Sequence, residues 1–253
     1  MITIETISVT GFGGAMLGMR NPFKNREKSD SDVAYHILEN YKPDDPMAEK
    51  YEYWNEAFGL NLMIGPKDLA LMHKLIKAGG DDDSKFMRMI HVQADVTAPL
   101  YWWKEFDTYK VATVTNSEST MHTIHKREFT IEDFSHDMLL DDYTLDADWD
   151  VEDMNPELLL YETIDILNAL RTLYLKAVDE KKGERARDYW YNMIQLLPTS
   201  YMQMRTVDLN YQTLRRIFFA RRRHKLKEWS GDEGFCEWIK TLPYAEELIT
   251  YEG

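Results

Sequence analysis

A stripe of apolar residues between Asp208 and Trp229 predicts a single helix that packs against a core. The stripe is made of Leu214, Ile217 and Phe218. Steps of three to four residues lead back from it to Asn210 and forward to Arg221, so both polar side chains are expected to face the core. A buried arginine needs an anionic partner. Arg221 therefore either pairs with an Asp or Glu of this chain or holds an anionic ligand such as a phosphate.

Positive charge is concentrated around Arg221. Seven basic residues occupy thirteen positions of this segment: Arg215, Arg216, Arg221, Arg222, Arg223, Lys225 and Lys227. Two interpretations stay open. The bases form a solvated face that pairs with the acidic segment 129–153, or they build a local anion site.

The overall charge limits the ligands that such a site can take. The chain has 253 residues, with 30 Lys and Arg against 44 Asp and Glu, a formal net charge of −14. A strongly acidic protein repels long nucleic acids and anionic membranes, but a local cluster of bases can still attract a small phosphate ligand. Ten acids and no Lys or Arg lie between residues 129 and 153. We expect this segment to be an acidic insertion in a single domain spanning residues 1–253.

Other kinds of site have weaker support. The single cysteine, Cys236, excludes an internal disulfide and a cysteine-rich zinc site. His122 and His125 have the spacing of helical metal ligands but lack a third ligand at a known interval, so no metal site is predicted. No apolar run reaches about 18 residues. The N-terminus lacks the pattern of a signal peptide, so a cytoplasmic protein is expected.

Hydrophobic patterning predicts the elements that must position these residues. Alternation from Ile2 to Val9 predicts a first strand, and Phe86 to Val96 predicts a second strand with Arg88 on its apolar face. Helices are predicted near 33–38 and over 66–79, 98–107, 157–178, 184–197, 208–229 and 233–242. This order indicates an α+β fold with a mixed or antiparallel sheet and a helical C-terminal half.

Several short motifs occur along residues 60–245 in a particular order and at particular spacings. Leu197-Pro198 is followed, twelve residues after the proline, by Asn210, and then by Thr213-Leu214, Phe218 and Arg221. Upstream, a predicted helix from Asp68 to Gly79 precedes Ser84 and Phe86, and Ala98-Pro99-Leu100 opens an aromatic helix. This order and spacing resemble the flavin-dependent thymidylate synthases.

The resemblance implies an α+β enzyme of that family's fold, a methyltransferase and flavoprotein. The family transfers a one-carbon unit from methylenetetrahydrofolate to C5 of a dUMP-like pyrimidine deoxynucleotide, with hydride from reduced FAD. The same chemistry implies NADPH as reductant. The family forms homotetramers with sites shared between subunits. The resemblance implies that the substrate is bound by Arg221, Asn210, Lys110, Glu118 and Ser119. It also implies that Arg221 is catalytic. The residues implied for FAD are Ser84, Arg88, Thr113, His224 and Lys225.

The chain departs from the family at its diagnostic motif, Arg-His-Arg-x-x-Ser-x-Asn-Glu-x-Ser-x-Arg. The counterpart here runs from Thr108 to Thr120, and Lys110 alone keeps a positive charge of the Arg-His-Arg triplet. Thr113 replaces the serine, and with a one-residue slip Asn116 and either Glu118 or Ser119 stand for the Asn-Glu-x-Ser portion. Each charge-assisted hydrogen bond lost to a flavin pyrophosphate costs about 1.5–3 kcal/mol. The motif is therefore degenerate for flavin binding.

Two alternatives to this enzyme remain open. One is a non-catalytic relative that binds a nucleotide or serves an assembly and keeps the same fold. The other is an acidic α+β interaction protein, from a phage or mobile element, that uses the arginine-rich helix as a protein contact.

Overall fold

The computed structural model describes residues 1–33, 46–140 and 155–253. The helix predicted near 33–38 lies almost entirely outside the described residues, and positions 141–153 of the predicted acidic insertion also lie outside them. The described residues form two compact units. The smaller contains Thr97–Phe106 and Ser117–Met204, and the larger contains Ile2–Val96, Asp107–Asn116 and Arg205–Gly253. That the chain is one domain stays a prediction.

The strands of the described residues are β1 (Thr3–Thr10), β2 (Asp32–Val33), β3 (Leu62–Met63), β4 (His91–Pro99), β5 (Val114–Ser117) and β6 (Met202–Asn210). The helices are α1 (Phe12–Arg20), α2 (Pro46–Phe58), α3 (Pro66–Lys77), α4 (Leu100–Phe106), α5 (Thr120–Thr123), α6 (Pro156–Asp179), α7 (Gly183–Leu196), α8 (Tyr211–Arg221), α9 (Lys227–Ser230) and α10 (Phe235–Thr241). A π-helical turn covers Ala245–Ile249.

A four-stranded antiparallel sheet has the order β1-β4-β6-β5, and β2 pairs with β3. Every second side chain of β4 is buried: Val92, Ala94 and Val96 are fully enclosed. The opposite face carries polar pairs between β4 and β6, such as Asp95 with Thr206. The predicted α+β class with an antiparallel sheet is thereby confirmed.

The predicted strand Phe86–Val96 is wrong in its first part. Lys85–Met89 form a 3₁₀ turn, and the strand begins at His91. The backbone N–H of Ile90 bonds to the Met87 carbonyl, which closes the turn. Arg88 therefore does not lie on the apolar face of a strand.

The predicted helix from Asp208 to Trp229 is also wrong at both ends. Its first residues belong to β6, where Val207 and Leu209 are buried in alternation. Helix α8 then ends at Arg221, and the short α9 follows separately. Asn210 is thus the N-cap of α8 and not part of its apolar stripe.

Gly11 joins β1 to α1 in a conformation that requires glycine. Its φ angle is +95°, and a Cβ atom at this position would lie 1.8 Å from the carbonyl oxygen of Met89. The absence of a side chain lets the start of α1 pack closely on the 3₁₀ turn that carries Arg88.

The smaller unit has its own core. It is formed by Ile124, Phe129, Phe134, Leu160, Ile164, Leu167 and Met193. Helices α6 and α7 confirm two predicted helices, but the predicted stripe of α6 is partly wrong. Leu159, Ile166 and Leu173, which were expected to pack inward, are 42–55% exposed. No described helix is long and apolar enough to cross a bilayer.

Candidate functional site

Arg221 is the last residue of α8 and is partly buried in the larger unit. Its Nε donates a hydrogen bond of 2.8 Å to the hydroxyl of Tyr109. Its guanidinium carbon lies 5.6 Å from the centre of the Tyr109 ring and 5.1 Å from that of the buried Trp229. These contacts are cation–π interactions, which fix the position of the guanidinium and lower the cost of its partial burial.

Asn210 and Thr213 fasten the loop that carries Tyr109. The Asn210 side-chain oxygen accepts the backbone N–H of Thr213 at 2.9 Å, which caps α8. Its amide nitrogen donates to the Ala112 carbonyl at 3.4 Å, and the Thr213 hydroxyl donates to the Val111 carbonyl at 3.2 Å. The loop 107–113 is thus attached to both ends of α8. The role of Asn210 in substrate binding stays a prediction.

Gln212, on the first turn of α8, connects two of the residues expected to bind flavin. It accepts a hydrogen bond from Nε of Arg88 and donates one of 2.9 Å to the hydroxyl of Ser84. It is 5% exposed. Sequence reasoning missed Gln212, although a glutamine beside a predicted buried stripe was a usable signal.

A cavity of about 670 Å³ lies beside this group in the larger unit. Its lining includes basic Lys85 and Arg88, acidic Asp82 and Asp83, and apolar Phe23, Phe86 and Met89. Its volume falls within the usual range for small-molecule sites, and apolar walls with a few charged groups are typical of them.

The larger unit also contains other residues predicted to bind substrate or flavin, and they differ in exposure and in hydrogen bonding. Lys110 and Lys225 are exposed. The Thr113 hydroxyl is buried without a hydrogen-bond partner. Nδ1 of His224 accepts the backbone N–H of Leu226 at 3.2 Å.

Several bases around Arg221 have structural partners. Arg216 pairs with Asp81, and Arg222 pairs with Glu252. Arg215 donates to the carbonyls of Ile249 and Tyr251 at 2.8 and 2.7 Å, and burial lowers its pKa. Both of these acids lie outside the segment 129–153.

The structure places Glu118 and Ser119 in the smaller unit. Ser119 is the N-cap of α5, where its hydroxyl accepts the N–H of His122 at 3.4 Å. Glu118 lines a cavity of about 290 Å³ together with Tyr201, Arg127 and Asp133. Burial, with the charges of Glu118 and Asp133, raises the pKa of the Tyr201 hydroxyl.

Sequence reasoning also missed the two-pronged ion pair in this cavity, in which both terminal nitrogens of Arg127 bond to the Asp133 carboxylate. Among the residues that the structure describes, no three His, Cys, Asp or Glu side chains are grouped so that they could hold a metal ion.

The residues that correspond to the family's diagnostic motif do not fit the pyrophosphate of FAD. Between Thr108 and Thr120 the one cationic side chain is Lys110, which is exposed. Tyr109 and the carbonyls of Val111 and Ala112 are committed to α8. A dianionic pyrophosphate needs several charge-assisted donors, and this segment supplies one.

Comparison with protein-family models gives no match, and neither does comparison with curated proteins. Solved structures do match. Thymidylate synthase X (ThyX) from Helicobacter pylori with FAD and dUMP has a TM-score of 0.59 at 14% identity, over 98% of this chain and 97% of that one. A second complex of that enzyme with FAD and dUMP gives 0.57 at 14% identity, over 97% of each chain.

A third match is the UMP/dUMP methylase PolB from Streptomyces cacaoi, bound with 5-Br dUMP. It has a TM-score of 0.53 at 13% identity, over 99% of this chain and 95% of that one. The chain therefore has the fold of the flavin-dependent thymidylate synthases.

Proposed function

We propose that this protein binds a pyrimidine deoxynucleotide of the dUMP class and that Arg221 grips its phosphate. The observation that carries the proposal is the guanidinium of Arg221, partly buried and packed over Tyr109 and Trp229. Solved proteins of the same fold were crystallised with dUMP or 5-Br dUMP, which supports the choice of ligand. A planar guanidinium suits a phosphate because it can donate two parallel hydrogen bonds.

Tyr109 acts in this proposal as a positioning residue. Its hydroxyl accepts the Nε hydrogen of Arg221 and its ring lies under the guanidinium. Because these contacts order a flexible side chain before a ligand arrives, less conformational entropy is lost on binding. Asn210 and Thr213 support this arrangement by fixing the loop of Tyr109 to the start of α8.

If the protein is an enzyme, its reaction in this proposal is the one that the resemblance implies, a one-carbon transfer to C5 of the uracil ring. Flavin would supply the hydride in that reaction. Lys110 is the single cation of the segment 108–120, which does not suit the pyrophosphate of FAD. The same observation favours a second candidate, a nucleotide-binding protein of this fold without catalysis.

The visible absorption spectrum of the purified protein separates the two candidates. We expect a colourless protein that still binds dUMP in a calorimetric titration, because the segment 108–120 lacks the donors for a pyrophosphate. A stoichiometric flavin spectrum would instead support the one-carbon transfer. Failure to bind dUMP, with or without added FAD, would contradict both candidates.

We also propose that the protein is a homo-oligomer, the tetramer that the resemblance implies. Helix α6 supports this, because Leu159, Ile166 and Leu173 leave an apolar face exposed. Light scattering of the purified protein is expected to give about four times the mass of one chain. The mass of a single chain at working concentration would contradict the proposal.

A further inference from the structure

Strand β1 forms one edge of the four-stranded sheet in the part of the chain that the structure describes. Its side chains alternate between exposed and partly buried, and Ile7 is 50% exposed. An edge strand presents a row of backbone N–H and C=O groups that can pair with another chain. Proteins commonly cover or charge such an edge, and long exposed edges are sites of strand addition.

A groove of about 860 Å³ lies along this edge. Residues of β1 line it together with Tyr53 and Phe58 of α2 and Trp238 of α10. The indole N–H of Trp238 donates to the Thr6 hydroxyl at 2.9 Å, which holds α10 beside the strand. The groove thus combines a sheet edge with aromatic walls, the two elements that bind extended peptides by main-chain pairing and side-chain packing.

The charge of the groove indicates what can occupy it. Its ionisable residues are Glu5, Asp232, Glu233, Glu237 and Lys240. Lys240 is already paired with Glu237, at 2.6 Å. The remaining carboxylates give the groove a negative potential, which favours basic side chains and disfavours acidic ones.

We propose that this groove binds an extended, basic peptide segment of a partner protein, which adds to the edge of β1 as a further strand. Its backbone pairs with β1. Because side chains alternate along a strand, lysine or arginine at every second position can face Glu5 and Glu233 while the intervening side chains pack against the aromatic residues. This surface is separate from the proposed nucleotide site, and neither proposal depends on the other.

Fluorescence anisotropy with a labelled peptide of alternating lysine and valine tests the proposal on the full chain. We expect saturable binding that weakens with added salt. The double variant Glu5→Gln/Glu233→Gln should bind about three- to tenfold more weakly. The matched variant Glu162→Gln/Glu184→Gln loses the same charge from exposed positions on α6 and α7 and should bind as the unchanged protein does.

A peptide of the same sequence with every backbone nitrogen methylated separates strand pairing from simple charge attraction. It keeps the charges but cannot form the ladder, so we expect its binding to be lost. Equal affinity for the methylated peptide, or equal weakening in both double variants, would overturn the proposal. So would no peptide binding at all. If the groove variant alone lowers the oligomeric mass, a second copy of the chain covers the edge and the proposal is likewise overturned.

Discussion

Arg221→Ala is expected to abolish measurable dUMP binding in a protein that still folds. Two charge-assisted hydrogen bonds from a guanidinium to a phosphate are worth about 1.5–3 kcal/mol each, so their loss weakens binding by about two to four orders of magnitude. The side chain lies at the end of α8, where it contacts Tyr109 and Trp229. Calorimetric titration of dUMP into each protein measures the change, and a thermal melt confirms that the variant is folded.

Arg223→Ala is the matched control for this experiment. It removes the same charge two residues further along, from an exposed side chain. Its dUMP affinity should stay close to that of the unchanged protein. Arg221→Lys should bind at an intermediate level, because lysine keeps the charge but loses the two-pronged geometry. Unchanged affinity in a folded Arg221→Ala protein would refute the assignment of the phosphate site.

Asp68→Asn is expected to lower the free energy of unfolding by about 3–5 kcal/mol, because it leaves the charge of Arg20 buried without its counterion. The two side chains are 5% or less exposed and joined by a 2.5 Å contact. Ser29 and Ser31 also donate to the Asp68 carboxylate, at 2.5 and 2.6 Å. Urea denaturation measures the loss. Glu180→Gln, which breaks the exposed pair with Lys182, serves as the control and should cause no measurable loss.

The same carboxylate makes stability depend on pH. Burial raises the pKa of Asp68, but hydrogen bonds from Ser29, Ser31 and Arg20 outweigh it and leave the pKa below its ordinary value. A carboxyl with a lower pKa in the folded state stabilises the fold above its unfolded-state pKa of about 4, and this contribution is lost as the pH falls through the folded-state value. The unchanged protein should therefore lose stability below about pH 4. Asp68→Asn should show a smaller loss over the same range, and an equal loss would contradict this role of Asp68.

Much of the architecture could be predicted from local patterns. The strand at the N-terminus, the aromatic helix α4 and the long helices α6 and α7 follow from periodicity and from glycine or proline at their ends. The apolar face of α6 was the exception. Its helical period was correct, but which of two apolar faces is buried depends on what packs against it.

The ends of the strand and helix near the site, β6 and α8, depend on contacts between residues that are distant in sequence. The predicted helix included Asp208 to Asn210, yet these residues end strand β6, which pairs with β4, and Asn210 then caps α8. Tertiary pairing thus outweighed local helix propensity. Arg221 could be singled out from its place on an apolar stripe. Its partner Tyr109 could not, because 112 positions separate the two residues and no local pattern connects them.

Photo-crosslinking with 5-bromo-dUMP tests the central claim most directly, because it reports both whether the nucleotide binds and where. After irradiation and proteolysis, mass spectrometry should place the crosslink in the peptides that contain Tyr109 or the residues from α8 to Trp229. Excess unlabelled dUMP should suppress it. A crosslink confined to other parts of the chain, or none above the level given by Arg221→Ala, would contradict the account.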